Sequence, residues 1–170
     1  MAQAPLQRIV SLSQGNPLFA EQLIAAIADD DVDAIPASLV GLLSMRLDRL
    51  GPGERDLLRC ASIAGLDLDL EAITALLPGD ARPFAERHIN TLERKRLIER
   101  VGPGRFRLAH ALIQMAAYQS MAREDRARLH EAFADHLERN RSDPTAGPTG
   151  AADYHLRRAV EHRRASGTLD

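Results

Sequence analysis

Apolar residues recur at helical spacing along almost the whole chain, and this periodicity is the feature that most restricts the fold. The first clear run follows Asn16 and Pro17, a cap and first-turn pair that is typical of a helix start. A second run extends from Leu39 to Leu50 and ends at a Gly-Pro-Gly sequence, where we place a domain boundary. The sequence therefore predicts a small helical subdomain at the beginning of the chain.

The segment from 52 to 109 changes rhythm. Three short helical patterns come first, with apolar positions at Leu57, Ala61 and Ala64, then Leu70, Ile73 and Leu77, then Ala85, Ile89 and Leu92. Asp69 is the expected cap of the second pattern. Residues 97–101 and 105–109 alternate around Gly-Pro-Gly as a two-stranded ribbon requires. Three helices followed by a ribbon predict a winged helix, and the fold class is mainly α.

The last part of the chain returns to helical patterns. Two of them occupy 110–139, and a stretch rich in Pro, Gly, Ser and Thr follows at 140–150, which predicts a flexible linker. One more pattern begins at Ala151, and we interpret it as the first member of a helical array. The predicted organisation is a helical subdomain at 1–51, a winged helix at 52–109, a helical arm at 110–139, a linker at 140–150 and the start of a helical-repeat region at 151–170.

Composition restricts the setting of the protein. Cys60 is the only cysteine, so no internal disulfide is expected, and its apolar neighbours predict a packed side chain rather than a reactive thiol. The absence of a signal-type or long apolar segment predicts a cytoplasmic protein without membrane contact. A net charge of -2 gives no general attraction for nucleic acid or anionic lipid.

The residues needed for nucleotide hydrolysis or metal chemistry are not found in the sequence. Lys95 is the sole lysine, and it lies in LERKRL, which contains no glycine, whereas a phosphate-binding loop needs Gly-x-x-x-x-Gly-Lys-Ser/Thr. His130 and His136 are six residues apart, which turns them about 240° around a helix, so they do not form a zinc pair. We therefore expect neither a catalytic site nor a metal site.

Four segments of the sequence resemble, in order, a run in bacterial signal-transduction ATPases of the STAND class. These segments are SQGNPLFAEQLIAAI, IPASLVGLLSMRLDRLGPGERDLLRCASIAG, FRLAHALIQMAAYQSM and YHLRRAVEHRRASG. The resemblance covers nearly the whole chain. It is to the large regulators in which such an ATPase is joined to an adenylate/guanylate cyclase or to a LuxR-type or SARP-type DNA-binding domain.

In that class the nucleotide lies between a phosphate-loop domain and a helical lid, and a winged helix packs over it to hold the ADP-bound resting state. The resemblance implies that this chain is the lid and winged helix, a regulatory fragment that is not itself an enzyme. It also implies that the fragment does not bind ATP or ADP tightly and that the full-length parent does. The implied partners are the phosphate-loop ATPase domain and the helical-repeat domain of the same parent.

The resemblance assigns nucleotide contacts to two places. Gly15, Asn16 and Pro17 match the family's Gly-x-Pro word, whose proline touches the adenine or ribose; a plain helix start is the alternative. His110 lies where related ATPases have a Met-His-Asp word whose histidine contacts the ADP β-phosphate, and a helix N-terminus favours such an anion. The residue after His110 is Ala111 rather than Asp, so any contact that the family makes through this aspartate is not possible here. An ordinary packed or capping histidine is the alternative.

Two other functions fit the same pattern. The segment 82–100 carries six basic and three acidic residues, which is compatible with a DNA-binding winged helix. Glu86 and Glu93 would share its exposed surface and repel the DNA backbone, so direct DNA contact is the less favoured interpretation. The remaining alternative is a protein-interaction module, in which the exposed faces bind other domains of the parent or a separate partner.

Overall fold

The computed structural model describes Ser13 and residues 16–28, 39–140 and 150–167. The chain is mainly helical, as predicted, with a small antiparallel sheet. The helices are α1 (Pro17–Ala28), α2 (Leu39–Asp48), α3 (Pro52–Ala64), α4 (Leu70–Leu76), α5 (Ala85–Arg94), α6 (Ala111–Gln119), α7 (Arg123–Arg139) and α8 (Gly150–Ser166), with a 3₁₀ turn at Arg82–Phe84. The strands are β1 (Asp67–Asp69), β2 (Ile98–Gly102) and β3 (Arg105–Leu108). None of the helices within the described ranges is long and apolar enough to span a membrane.

The predicted helix starts are confirmed where they fall on described residues. The Phe19 amide donates to Asn16 Oδ1 at 3.2 Å, so Asn16 caps α1. The Glu71 amide donates to Asp69 Oδ1 at 2.8 Å, so Asp69 caps α4. Pro52 opens α3 directly after Gly51, because the missing amide of proline is not needed in the first helical turn.

The segment α3–β1–α4–α5–β2–β3 forms the winged helix. Its sheet has the order β1-β3-β2, with β3 in the middle and antiparallel to both neighbours. Phe106 of β3 lies opposite Leu68 of β1 and Arg100 of β2. The two-stranded ribbon is confirmed, and β1 is an additional strand. A strand of three residues with one buried position, Leu68, is too short for alternation to reveal it.

One apolar cluster runs through most of the described chain, from Phe19 in α1 to Phe133 in α7. Its centre is aliphatic, as the 4% aromatic content requires, and its fully buried side chains include Leu23, Leu42, Leu57, Ile73, Ile89, Leu97 and Phe106. The cluster continues without a break across residue 51, so the first helices and the winged helix share a core. Burial of this shared surface makes movement of one relative to the other costly.

The last helix, α8, packs against α7 in the opposite direction. Arg123 at the start of α7 donates from Nη1 to the Ala165 carbonyl at 2.6 Å, and the ring of Phe133 lies 4.8 Å from that of His155. Arg163 also forms a two-pronged ion pair with Glu131 at 2.6 and 2.7 Å. This helix therefore packs against a neighbour within the chain, whereas the sequence suggested that its partners lie in further repeats.

Close packing of α3 on α5 depends on a glycine. A Cβ on Gly53 would lie 2.3 Å from Nε2 of His88. We expect Gly53→Ala to lower the free energy of unfolding by about 1–3 kcal/mol through this overlap, although alanine alone favours a helix. Gly79→Ala is the matched control, because no atom lies within 4 Å of its added Cβ. Urea denaturation measures both, and equal stability of the two variants would show that the His88 ring moves aside freely.

Candidate functional site

The first predicted contact, Pro17, lies exposed at the beginning of α1. Asn16 is also exposed, and its main chain bonds on both sides: its amide donates to the Ser13 carbonyl at 2.7 Å and its carbonyl accepts from the Ala20 amide at 3.1 Å. Gly15 lies outside the described residues. The helix start is thus confirmed, and the nucleotide contact by Pro17 stays a prediction.

The second predicted contact, His110, lies exposed at the N-cap position of α6. Its Nδ1 accepts a hydrogen bond from the Leu112 amide at 3.1 Å. A neutral imidazole that accepts at Nδ1 carries its proton on Nε2, so the ring still has one donor for an anion. The capping role is therefore observed, and the contact with a phosphate stays a prediction. Among the bonds between described residues, none joins His110 to Asn16 or Pro17.

A tight turn at the end of α5 connects these two regions. The Leu97 amide donates to the Leu92 carbonyl at 3.0 Å, and the Arg96 amide donates to the Glu93 carbonyl at 2.9 Å. Arg96 has a φ of 55°, so these bonds form the Schellman motif that commonly ends helices. Glycine usually occupies the left-handed position, and an arginine there indicates that surrounding contacts hold the turn.

Those contacts come from the first two helices. Arg46 of α2, only 3% exposed, donates from Nη2 to the Lys95 carbonyl at 2.7 Å and from Nη1 to the side-chain oxygen of Gln22. Gln22 of α1 is also buried, and its Nε2 donates to the Arg96 carbonyl at 3.5 Å. We call these two side chains and the two carbonyls the Arg46 clamp. The negative end of the α5 dipole favours a guanidinium at this position.

The Arg46 clamp continues along the main chain to His110. The next residue after the clamped turn is Leu97, whose carbonyl accepts the Ala109 amide at 3.1 Å. Ala109 directly precedes His110. In addition, α2 packs against α6, the helix that His110 caps. A continuous set of covalent and hydrogen bonds thus runs from the first two helices, through the end of α5, to the predicted phosphate contact.

The exposed face of the winged helix is partly neutralised by its own carboxylates. Arg100 of β2 lies 3.7 Å from Glu86 and 3.8 Å from Glu93, both on α5, and donates to Asn90 at 3.1 Å. Its guanidinium also lies 4.7 Å from the centre of the Phe106 ring. Because the negative charges of Glu86 and Glu93 partly neutralise its guanidinium, Arg100 is poorly placed to attract the phosphate backbone of DNA.

Sequence reasoning missed Gln22 and Arg46. Their positions in the sequence could have indicated a structural role, because each is a polar residue inside an apolar helical run. A polar side chain that is buried in such a run requires a hydrogen-bonding partner. The identity of that partner cannot be obtained from helical periodicity. The packed interpretation of Cys60, in contrast, is confirmed: its side chain is 2% exposed, and burial, with a smaller effect of Asp56, raises the pKa of its thiol to about 12.

No family model matches the chain, and no solved structure is significantly similar to it. One relative is the uncharacterized protein R02095 of Rhizobium meliloti (strain 1021), which is 28% identical over 162 residues. The match covers 87% of this chain and 16% of the relative. The chain thus spans about a sixth of the length of the curated relative that it matches.

Proposed function

We propose that this chain is a non-catalytic regulatory segment of a nucleotide-switched signalling ATPase. In this proposal α1 and α2 form the lid, and α3 to β3 form the winged helix. A phosphate-loop domain elsewhere in the parent binds and cleaves ATP, while the arrangement of this segment depends on whether ATP or ADP is bound. That arrangement controls an output domain of the parent, either a cyclase or a transcription regulator. The protein works in the cytoplasm.

The observation that carries the proposal is the bonded path from the lid to His110. In a molecular switch, two binding sites must shift the equilibrium of the same structural element between two arrangements. If a nucleotide contacts Pro17 on the lid and His110 on α6, the Arg46 clamp makes those contacts dependent on one another. A displacement of α1 or α2 then changes the hydrogen bonds at the end of α5 and, through Leu97 and Ala109, the position of His110.

The length of the matched relative is compatible with a parent in which separate domains hydrolyse ATP and regulate the output. A chain that matches 16% of a longer protein leaves room in that protein for an ATPase domain, a repeat region and an output domain. A DNA-binding function receives less support, because Glu86 and Glu93 compensate Arg100 on the face that would approach DNA. A protein-interaction module overlaps with the proposal, since the lid and winged helix would bind the other domains of the parent.

The role of His110 is best tested with His110→Asn in the full-length parent. Asparagine is a good N-cap, so it keeps the hydrogen bond to the Leu112 amide while removing Nε2. We expect the variant to release ADP about tenfold faster, which corresponds to the loss of about 1.4 kcal/mol from one hydrogen bond to a charged phosphate, and to raise basal output. ADP release is measured by exchange against a fluorescent analogue.

His110→Ala provides the comparison, because it removes the cap and Nε2 together. It should show the same faster ADP release and, in addition, a loss of about 1 kcal/mol of stability. Normal ADP release and normal basal output in His110→Asn would remove the sensor role and leave His110 as a cap. The isolated fragment should bind ADP weakly or not at all in a calorimetric titration; micromolar affinity would contradict the proposed division between domains.

A further inference from the structure

Four ring side chains from three helices, the half-buried Tyr118 and three buried histidines, form a hydrogen-bonded network. Tyr118 of α6 lies with its hydroxyl 3.0 Å from His130 Nε2 and 2.6 Å from His162 Nε2. On its other side the ring of His130, in α7, places Nδ1 at 2.8 Å from His155 Nδ1. His155 and His162 both belong to α8 and are 8% and 9% exposed, and His130 is 2% exposed. We call these four residues the histidine network.

The network is complete when all three imidazoles are neutral. Each of its three contacts needs one proton between two heavy atoms. With neutral rings these protons can be arranged in either direction: from His162 through Tyr118 and His130 to His155, or in reverse. The contact between the two Nδ1 atoms limits which protonation states the network allows, because only one of the two atoms can carry a proton. If His130 and His155 were both protonated, two N–H groups would face each other at 2.8 Å, and the contact would be lost.

Attachment of α8 depends strongly on this network. None of the described residues of α8 belongs to the apolar cluster that forms the core. Its buried apolar residues are two alanines, Ala152 and Ala159, and its other buried positions are His155 and His162. Since two alanine side chains bury little apolar surface, the polar contacts carry much of the docking energy. Other bonds between α8 and its neighbours include Arg158 with the Tyr118 hydroxyl, Arg163 with Glu131 and Arg123 with the Ala165 carbonyl, and the last two lie at exposed or half-exposed positions.

We propose that the histidine network is an acid-sensitive latch, which holds α8 on α6 and α7 while its imidazoles are neutral and releases α8 when they are protonated. This inference is independent of the nucleotide switch. It assigns to three histidines a role that does not depend on any bound ligand.

The charges around the network oppose protonation from several sides. Arg158 of α8 lies 3.4 Å from the Tyr118 hydroxyl, and Arg126 of α7 lies over the Tyr118 ring at 4.8 Å. Arg123 of α7 adds a further positive charge near His162, while Glu161 of α8 acts in the opposite direction and is itself paired with Arg158. Protons can reach the network, because His130 and His155 line a surface pocket of about 380 Å³.

The direction of the pH effect follows from burial and these charges. Burial, together with His155, His162 and nearby arginines, lowers the pKa of His130 from 6.5 to about 3. Burial also lowers the pKa of His155 and of His162. A histidine whose pKa is lowered by docking favours the docked state fully above its ordinary pKa of 6.5. That preference declines as the pH falls below 6.5, by about tenfold per pH unit for His130, whose docked pKa lies far below this range, and in the same direction for His155 and His162.

Hydrogen exchange measured by mass spectrometry on the whole chain tests the latch. Exchange rates at pH 7.5 and 5.0 are corrected for the intrinsic pH dependence of amide exchange, and peptides from α8 are compared with peptides from α3. We expect protection of α8 to fall about 30-fold between the two pH values from His130 alone, with α3 changing less than about threefold. The range stops at pH 5.0 to stay above the usual glutamate pKa of about 4.3, so that the Glu131–Arg163 pair remains charged.

Two variants locate the effect. His130→Gln/His155→Gln keeps a donor and an acceptor at both positions but cannot take up a proton, so α8 protection should lose most of its pH dependence. His136→Gln is the matched control, because His136 lies on the same helix and contacts Asn140 outside the network; its pH response should equal that of the unmodified chain. If the double variant fails to dock α8, His162→Gln replaces it and should reduce the pH response in part.

Protection of α8 that is equal at pH 7.5 and 5.0 in the unmodified chain would overturn the latch. An undiminished pH response in the glutamine variants would overturn it as well, because the acid sensitivity would then arise elsewhere. Simultaneous loss of protection in α3 and α8 would also count against it, since the network would then stabilise the whole fold rather than hold one helix.

Discussion

Replacing Arg46 with methionine is expected to lower the free energy of unfolding by about 3 kcal/mol and to loosen α1 and α2 from the winged helix. The substitution keeps an unbranched side chain in the buried position but removes the guanidinium from the carbonyl of Lys95 and from Gln22. Hydrogen bonds to a charged group contribute about 1.5–3 kcal/mol each, and the carbonyl at the end of α5 is left without its donor. Urea denaturation of the chain measures the loss.

Arg87→Met is the matched control, because it removes the same charge from an exposed position on α5. It should change stability by less than about 0.5 kcal/mol. Arg46→Lys should fall between the two, since a single ammonium group lacks the planar fork of the guanidinium. A loss below 1 kcal/mol in Arg46→Met would show that the clamp contributes little. Under the proposed function, Arg46→Met in the full-length parent should weaken the dependence of output on bound nucleotide, because α1 and α2 are then less firmly connected to His110.

The second large effect is expected at the centre of the sheet. Phe106→Ala should lower the free energy of unfolding by about 3–5 kcal/mol, because the ring is fully buried and its removal leaves a cavity beneath β3. The ring also lies under the guanidinium of Arg100, so the variant loses a cation–π contact. Since small domains are stable by only about 5–15 kcal/mol, much of the protein should be unfolded in mild denaturant.

Val101→Ala is a suitable control for Phe106→Ala, because Val101 lies on the neighbouring strand and is 48% exposed. Its effect should remain below about 1 kcal/mol. Thermal unfolding followed by circular dichroism distinguishes the two variants. Similar transition temperatures for both would mean that the sheet contributes little to the stability of the fold.

Periodicity was sufficient to predict most elements of the fold. The buried stripe of α2, the cap of α4 by Asp69 and the ribbon around Gly102 follow from local rules that involve residues a few positions apart. Strand β1 was missed for a physical reason. It exists because β3 offers an unpaired edge, and nothing in three residues with one buried leucine encodes that edge.

The candidate site was less predictable than the fold, because its contacts join residues that are distant in sequence. The buried positions of Arg46 and Gln22 can be suspected from their place in apolar runs, but their partners are main-chain carbonyls, which carry no sequence signal. His130 was considered only with His136, six residues away, whereas its observed partners lie on two other helices. Such contacts are determined by tertiary packing.

The two sides of the Arg46 clamp differ in how far their amino acids can be substituted. On one side the clamp uses two particular side chains, and on the other it uses only peptide carbonyls, which every amino acid provides. Substitutions of Arg96 that preserve the backbone turn therefore leave the hydrogen bond to its carbonyl intact, and glycine at position 96 would adopt the required conformation more easily. The connection between the two parts of the molecule can thus persist while the sequence of the turn diverges, provided that Gln22 and Arg46 are retained.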